Sequence, residues 1–167
     1  MSLKVLIAED EDDIADQYKM VLEELGHEVE RVKDGEECIR KFHEALENNY
    51  KDRPNPYDVI LMDYFMPIKD GIEAAKEILK ECPKQRIIFV TGHGPKLLSG
   101  LNDFEDPIEI LVKPVPLTAL IAKIENRRQK EIAKKLYYKL KKWDGTDGLS
   151  TPTGPSRAVE KINVFPD

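Results

Sequence analysis

Four short apolar runs, and one short run that alternates in polarity, are separated along the chain by longer segments of helical periodicity. Two of them, Val-Ile-Leu-Met at 59–62 and Ile-Ile-Phe-Val at 87–90, are unbroken, as is typical of strands buried on both faces of a sheet. The run at 28–32 instead alternates valine with charged residues, which indicates an edge strand. The predicted strands cover residues 4–8, 28–32, 59–62, 86–91 and 108–112.

The segments between these strands place apolar residues three or four positions apart, which predicts amphipathic helices. Gly26 suits the position just past the end of the first helix, and Asp34 is a suitable N-cap for the second. Glycines and a proline after Thr91 predict a short or mobile fourth helix. The fifth helix begins near Pro116. The apolar faces are Ile14, Ala15, Tyr18, Val21, Leu22 and Leu25; Cys38, Ile39 and Phe42, extended by Ala45 and Leu46; Ile72, Ala75, Ile78 and Leu79; and Leu117, Leu120, Ile121 and Ile124.

This alternation of strands and helices predicts the α/β class. Because a crossover helix between parallel strands is almost always right-handed, the expected fold is a doubly wound, five-stranded parallel sheet. The helical pattern continues beyond the last strand, so we also expect an extended C-terminal helix followed by a tail.

Composition limits the size and setting of the protein. A chain of 167 residues, 41% hydrophobic and 35% charged, is long enough for one full core with an appendage. No apolar run is long enough to span a bilayer, and residues 1–10 do not resemble a signal peptide, so we expect a cytoplasmic protein. Cys38 and Cys82 lack metal-ligand spacing and are expected to be reduced packing residues.

Charge is unevenly distributed around a net value of −6. Residues 1–125 hold 16 Lys/Arg against 27 Asp/Glu, whereas residues 126–143 hold 8 against 1. The sequence therefore predicts an acidic domain at 1–125, a basic extension of the fifth helix at 126–143, and a linker and C-terminal tail at 144–167 rich in Gly, Thr, Ser and Pro.

Four of the apolar strands end in residues of complementary chemistry. Glu9 and Asp10 follow the first strand, Asp63 follows the third, Thr91 closes the fourth and Lys113 follows the fifth. Because parallel strands end at one rim, we expect these side chains to share a cleft. Carboxylates bind Mg²⁺ through hard oxygen ligands, and lysine and threonine contact phosphoryl oxygens.

These residues, in this order, resemble the receiver domain of two-component response regulators across residues 3–125. The resemblance implies the strand order 2-1-3-4-5 and a switch point beside the acidic rim. The matching residues are Glu9-Asp10, Asp63 with Met66-Pro67 and Gly71 after it, Thr91 after an apolar strand, and Lys113-Pro114.

The resemblance also implies a role for each residue of the rim. Asp63 is the expected phosphoacceptor, taking a phosphoryl group from a phosphohistidine on a sensor histidine kinase or phosphotransfer protein. Asp10, Asp63 and the backbone carbonyl of Phe65 are expected to bind Mg²⁺, with Glu9 acting mainly through a water. Lys113 and Thr91 are expected to contact the phosphoryl oxygens, and the bond from Thr91 would bias a two-state surface.

The sequence departs from the family pattern at the position three before the lysine. Family members commonly carry an aromatic residue there, and this chain has Ile110, which puts the usual ring-rotation switch in doubt. Phe65 and His93 occupy variable positions that tune hydrolysis of the phosphoryl bond. A ring at Phe65 is expected to shield the acyl phosphate from water and so to slow self-dephosphorylation.

Three interpretations of the basic segment 126–143 stay open. It is a helix that forms a homodimer or binds a partner's groove, because Leu136, Leu140 and Trp143 need cover; or a basic helix that folds back on the acidic domain; or a contact for nucleic acid or a membrane surface. The first is favoured, and nucleic acid is not the expected partner.

The predicted function is that of a stand-alone receiver, a phosphorylation-dependent switch that signals through a downstream protein target. It is not expected to be an enzyme beyond its own phosphoryl transfer and slow self-dephosphorylation. Two alternatives belong to other classes. One is a scaffold that keeps the fold without being phosphorylated, and the other is a Mg²⁺-dependent phosphohydrolase that acts through an aspartyl phosphate.

Overall fold

Five strands and three complete helices form the described part of the chain, which in this computed structural model comprises residues 2–49, 55–92, 104 and 108–125. The predictions for His93, the fourth helix, the basic segment and the tail lie outside these residues. The strands are β1 (Lys4–Ala8), β2 (Glu28–Val32), β3 (Val59–Met62), β4 (Ile87–Thr91) and β5 (Glu109–Val112). The helices are α1 (Asp12–Glu24), α2 (Gly35–Asn49) and α3 (Gly71–Glu81), and residues 117–125 are also helical.

All five strands are parallel and lie in the order β2-β1-β3-β4-β5. This confirms the predicted doubly wound sheet, its strand order and the edge position of β2. The register sets Ala8 of β1 beside Met62 of β3, and Thr91 of β4 beside Val112 of β5. The residues that follow β1 and β3 therefore begin side by side at the carboxyl rim of the sheet.

The central strands carry the core. All four residues of β3 and all five of β4 are buried, as the unbroken apolar runs predicted. On one face, alternate strand residues such as Leu6, Ile60 and Phe89 pack in one cluster with buried residues of α2 and α3. The helix residues of that cluster include Cys38, Ile39, Phe42, Ala45, Ile72, Ala74, Ala75 and Ile78.

The helix ends follow local rules, with one exception. Asp34 accepts a hydrogen bond from the backbone N–H of Glu37 (2.8 Å), as predicted for an N-cap, and Asp70 accepts one from that of Glu73 (2.9 Å). Gly26 follows α1 with φ +82°, a left-handed conformation that glycine adopts without a steric penalty. The N-cap residue of α1, Glu11, makes no side-chain capping bond.

Residues 1–121 and residues 122–167 form two compact units. The predicted boundaries at 125 and 143 stay predictions. Within the first unit, Leu120 of the C-terminal helical turns is fully buried. Among the residues that the structure describes, there is no helix with the length and apolar character needed to cross a membrane.

Candidate functional site

The carboxyl rim of the sheet brings the predicted acidic residues together. The backbone N–H of Asp63 donates to the carbonyl of Ala8 (2.9 Å), so the residues that follow β1 and β3 stay adjacent beyond the last ladder pair. One carboxylate oxygen from each of Glu9, Asp10 and Asp63 lies within 4.8 Å of the others. Glu9 and Asp63 are buried and Asp10 is exposed, so the cluster has two acids shielded from solvent and one open to it.

Lys113 enters the same cluster from the end of β5. Its Nζ lies 2.7 Å from a Glu9 oxygen, 3.4 Å from Asp63 and 3.7 Å from Glu11. Its backbone N–H donates to the carbonyl of Thr91 (3.0 Å), which fixes the start of the loop after β5 against the end of β4. A single ammonium therefore faces several carboxylates, and the site keeps an excess of negative charge.

The pKa values of these groups reflect burial among like and unlike charges. Burial raises the pKa of Glu9 above its ordinary value, and the hydrogen bond from Lys113 only partly opposes this effect. For Lys113, burial acts to lower the pKa, but the hydrogen bond to Glu9 and the charges of Asp63 and Glu9 outweigh it and raise the pKa. Lys113 is therefore a fixed cation at neutral pH.

Thr91 closes β4 with its side chain fully buried. Because β4 lies between β3 and β5 in the sheet, Thr91 ends on the strand between the one that carries Asp63 and the one that carries Lys113. The structure thus places all five side chains predicted from the strand ends at one rim. The proposed assignment of chemical roles to them stays a prediction.

Two glycines allow the loop after Asp63 to approach neighbouring backbone closely. A Cβ atom on Gly71 would lie 2.1 Å from the carbonyl oxygen of Asp63, and one on Gly35 would lie 2.4 Å from that of Lys69. The N–H of Gly71 donates to Tyr64 (2.9 Å), and that of Gly35 donates to Lys69 (3.1 Å). Only glycine fits these positions without moving the loop.

The same loop presents two apolar side chains to solvent. Phe65 is 66% exposed and Ile68 is 81% exposed. Ile68 has φ 67°, a left-handed conformation that costs a β-branched residue energy. The carboxylate of Asp63 accepts a hydrogen bond from the Tyr64 N–H (2.7 Å), which orients it at the base of this loop.

The donor set at the rim fits a hard divalent cation. Its three convergent groups are carboxylates, which Mg²⁺ prefers, and the part of the chain that the structure describes adds no histidine or cysteine, which softer metals prefer, to the cluster. Burial, and after it the nearby charge of Asp63, raises the pKa of Glu9, so its charged form is costly in this cluster and a bound cation would stabilise it.

Two contacts near this rim were not predicted from the sequence. Glu11 starts α1 with a side chain 63% exposed, as is typical of an acid at a helix start, and it also lies 3.7 Å from Lys113. Asp70, in the loop after Asp63, caps α3; the spacing of Asp70 and Glu73 ahead of an apolar helical stripe is the available signal. Glu11 offers no such signal, since its distance to Lys113 depends on the register of distant strands.

Comparison with known proteins decides the family. Residues 5–125 match the model of the response regulator receiver domain. This chain belongs to the response regulator receiver family. It is therefore a receiver domain of the kind that serves two-component signalling, in agreement with the resemblance recognised from its strand ends.

Individual relatives agree with this assignment. The response regulator receiver protein CpdR of Brucella abortus is 29% identical over 73% of this chain and 93% of its own length. The transcriptional regulatory protein SrrA of Staphylococcus aureus is 31% identical over 75% of this chain but only 47% of its own. The receiver thus spans nearly all of the first relative and about half of the second.

Solved structures show the same fold. A receiver domain protein from Clostridium thermocellum matches with a TM-score of 0.63 and 32% identity, over 78% of this chain and 98% of its own. The response regulator TrrA of Thermotoga maritima, solved in complex with Mg²⁺-BeF, matches with a TM-score of 0.59 and 27% identity, over 75% and 97% of the two chains.

Proposed function

We propose that this receiver is a stand-alone, phosphorylation-dependent switch and that Asp63 is its phosphoacceptor. The observation that carries the proposal is the surroundings of Asp63, a buried carboxylate held at a strand end beside two further carboxylates and the Lys113 ammonium. Burying two acids, Glu9 and Asp63, beside a third that is open to solvent is costly unless their charge is used, so this arrangement favours a functional site over a packing role.

In the proposed reaction, a carboxylate oxygen of Asp63 attacks the phosphorus of a phosphohistidine on a partner protein. The P–O bond forms as the P–N bond breaks, and the histidine nitrogen keeps the electron pair and recovers a proton. The product is an acyl phosphate on Asp63. The partner is a sensor histidine kinase or a phosphotransfer protein, and the output is a changed contact with a downstream protein target.

Lys113 and Thr91 act on the phosphoryl group in this proposal. The Lys113 ammonium, already 3.4 Å from Asp63, would pair with a phosphoryl oxygen. The Thr91 hydroxyl would donate to another, and such a bond would draw the end of β4 toward the phosphoryl group. Because Ile110 offers no ring to follow this movement, the proposed output depends on β4 and β5 themselves.

Glu9, Asp10 and Asp63, together with the backbone carbonyl of Phe65, would hold Mg²⁺. The ion would supply positive charge that offsets the repulsion between these carboxylates and an incoming phosphoryl anion. The solved complex of the Thermotoga relative with Mg²⁺-BeF supports this choice of ion.

The test is incubation with Mg²⁺ and acetyl phosphate, followed by intact mass measurement. We expect one phosphate adduct in the wild type and none in Asp63→Asn. Asp58→Asn is the matched control, because Asp58 lies at the opposite end of the same strand and contacts the backbone N–H of Lys4. It should form the adduct normally.

The two alternative functions, scaffold and phosphohydrolase, predict different results in the same experiment. A phosphorylation-independent scaffold would remain unmodified while folded. A phosphohydrolase would consume acetyl phosphate over many turnovers without accumulating an adduct.

Slow self-dephosphorylation is the second part of the proposal, and Phe65 carries it. Its ring is exposed in this structure, so it is available to cover an acyl phosphate formed on the nearby Asp63. We expect Phe65→Asn to shorten the half-life of the adduct by admitting water, while Phe65→Leu retains most of it. An unchanged half-life in Phe65→Asn would contradict the shielding role.

A further inference from the structure

The amino end of α1 differs from that of the other complete helices. Asp34 caps α2 and Asp70 caps α3 through hydrogen bonds of ordinary length. Glu11, the N-cap residue of α1, makes no capping bond and instead lies 3.7 Å from Lys113. Yet α1 directly follows the turn that carries Glu9 and Asp10, so its placement determines where these two acids lie.

Arg31 of β2 holds this end of α1 from the side. Its guanidinium bridges two carboxylates one turn apart, with Nη1 2.8 Å from Asp16 and Nη2 in contact with Asp12. A planar fork with several N–H donors can hold two carboxylates at once, which a lysine ammonium does with less geometric definition. The Arg31 side chain is only 16% exposed, whereas Asp12 and Asp16 are 58% and 67% exposed, so a largely buried guanidinium reaches two carboxylates at the surface.

The backbone connects the same strand to the metal-ligand turn. Arg31 lies beside Ile7 in the ladder, and the next residue, Val32, accepts a hydrogen bond from the N–H of Glu9 (3.1 Å). The turn from Glu9 to Glu11 is therefore fixed at its start by β2 and at its end by a helix that Arg31 holds. Asp10 lies between these two points.

Burying part of the Arg31 guanidinium costs desolvation energy, and neutralising Asp12 and Asp16 does not by itself require that burial. Its Nε is buried and has no hydrogen-bond partner among the residues that the structure describes. A shorter or more exposed cation could neutralise Asp12 without this cost, as Lys33 does from 2.9 Å with a side chain 60% exposed. The retained guanidinium is better explained by geometry than by charge.

We propose that Arg31 is a positioning residue for the metal site, which fixes the amino end of α1 and thereby holds Asp10 beside Glu9 and Asp63. The inference rests on the proposed function, since it assumes that these acids bind Mg²⁺. Arg31 contacts neither the ion nor the phosphoryl group. Its effect is exerted through Asp12, Asp16 and the turn before them.

A role through charge and a role through positioning predict opposite changes in Mg²⁺ affinity when Arg31 is replaced. Removing a cation near a Mg²⁺ site should tighten Mg²⁺ binding if only charge matters, because the remaining field is more negative. Removing a positioning residue should weaken it, because Asp10 is no longer held in place. Groups that hydrogen-bond metal ligands directly change metal affinity by about 10- to 100-fold, and Arg31, which acts one step further from the ligands, is expected at the lower end of that range.

The experiment is a calorimetric Mg²⁺ titration of the wild-type chain, Arg31→Gln, Arg31→Lys and Lys33→Gln. We expect Arg31→Gln to weaken Mg²⁺ binding about tenfold and Arg31→Lys, which keeps the charge, to weaken it about threefold. Lys33→Gln removes the same charge from the same neighbourhood and should bind Mg²⁺ as tightly as the wild type or slightly more tightly. Thermal melts establish that each variant is folded, and Arg31→Lys carries the test if Arg31→Gln is not.

The outcomes separate this inference from the proposed function. Arg31 variants that bind Mg²⁺ as tightly as Lys33→Gln would overturn the positioning role while leaving the metal site intact. A wild type that shows no Mg²⁺ binding would overturn the proposed metal site itself, and the role of Arg31 with it.

Discussion

The two ends of the sheet differ in whether their buried charges are balanced by opposite charges. At the amino end, Arg86 and Glu109 form a bidentate pair between β4 and β5, with distances of 2.7 and 3.0 Å. At the carboxyl end, the single ammonium of Lys113 faces Glu9, Asp63 and Glu11. The first end is balanced, and the second keeps an excess of negative charge.

This difference separates a structural contact from a site. A balanced, bidentate pair satisfies both partners and needs nothing more to be stable. An unbalanced cluster of buried acids raises the free energy of the folded protein until a cation or a proton compensates it. Ligand binding should therefore affect stability most at the carboxyl end. Loss of a charged partner by mutation should reduce stability most at the amino end.

The largest effect is expected from breaking the balanced pair. Glu109→Gln leaves the buried guanidinium of Arg86, whose side chain is 8% exposed, without its carboxylate. We expect the free energy of unfolding in urea to fall by about 3 kcal/mol. Glu23→Gln, which removes a partner from the exposed pair with Lys19, is the control and should cost less than about 0.5 kcal/mol. Equal losses in the two variants would contradict the contrast.

Tyr57 provides a pH test at the amino end. Burial, followed by the nearby charge of Glu30, raises the pKa of this tyrosine above its ordinary value of 10.0. The folded protein therefore keeps a proton that the unfolded chain loses above pH 10, so stability is full below that pH and falls as the pH rises further. Tyr57 alone should remove about 1 kcal/mol between pH 9 and pH 11.

The comparison variant is Tyr57→Phe, whose ring has no ionisable group. Its unfolding free energy should decline less steeply over the same pH range. Parallel curves for the variant and the wild type would show that Tyr57 does not contribute.

At the unbalanced end, the expected effect is on Mg²⁺ binding and is smaller than the loss of stability in Glu109→Gln. Lys113→Gln removes the ammonium that competes with a cation for Glu9 and Asp63, so Mg²⁺ should bind more tightly, by about 1 kcal/mol. Phosphorylation by acetyl phosphate should nevertheless slow, because the phosphoryl oxygens lose their cation. This change in Mg²⁺ affinity is opposite in sign to that expected for Arg31→Gln.

Lys69→Gln is the control for Lys113, since Lys69 pairs with Glu36 and Glu77. It should leave the Mg²⁺ affinity unchanged. Weaker Mg²⁺ binding in Lys113→Gln would mean that the lysine organises the carboxylates more than it competes with the ion.

Much of the fold was predictable because buried strands and helix faces appear in the sequence as local patterns of apolar residues. The unbroken apolar runs that became β3 and β4 can hardly be exposed, and the residue that ends each run is therefore at a rim. Parallel strands then place Asp63, Glu9 and Lys113 at one rim, and the strand order that the family resemblance implies brings them close together. The short-range signals at Gly26 and Asp34 were equally readable, because a cap depends only on its neighbours in sequence.

The balanced contacts were not predictable, since they depend on register. Arg86 and Glu109 are 23 residues apart, and each looks like an ordinary charge beside a strand. Arg31 was interpreted as a charge of the edge strand, and its contacts with Asp12 and Asp16 follow only when β2 is placed next to β1. The left-handed conformation of Ile68 was also hidden, because a β-branched residue gives no sign of it.

The most direct test of the central claim identifies the phosphorylated residue itself. The receiver is incubated with Mg²⁺ and acetyl phosphate, the acyl phosphate is reduced with borohydride, and the peptides are sequenced by mass spectrometry. The account predicts that residue 63, and no other acid of the rim, is converted to homoserine. Reduction at Glu9 or Asp10, or no reduction in a folded protein with Mg²⁺ bound, would contradict it.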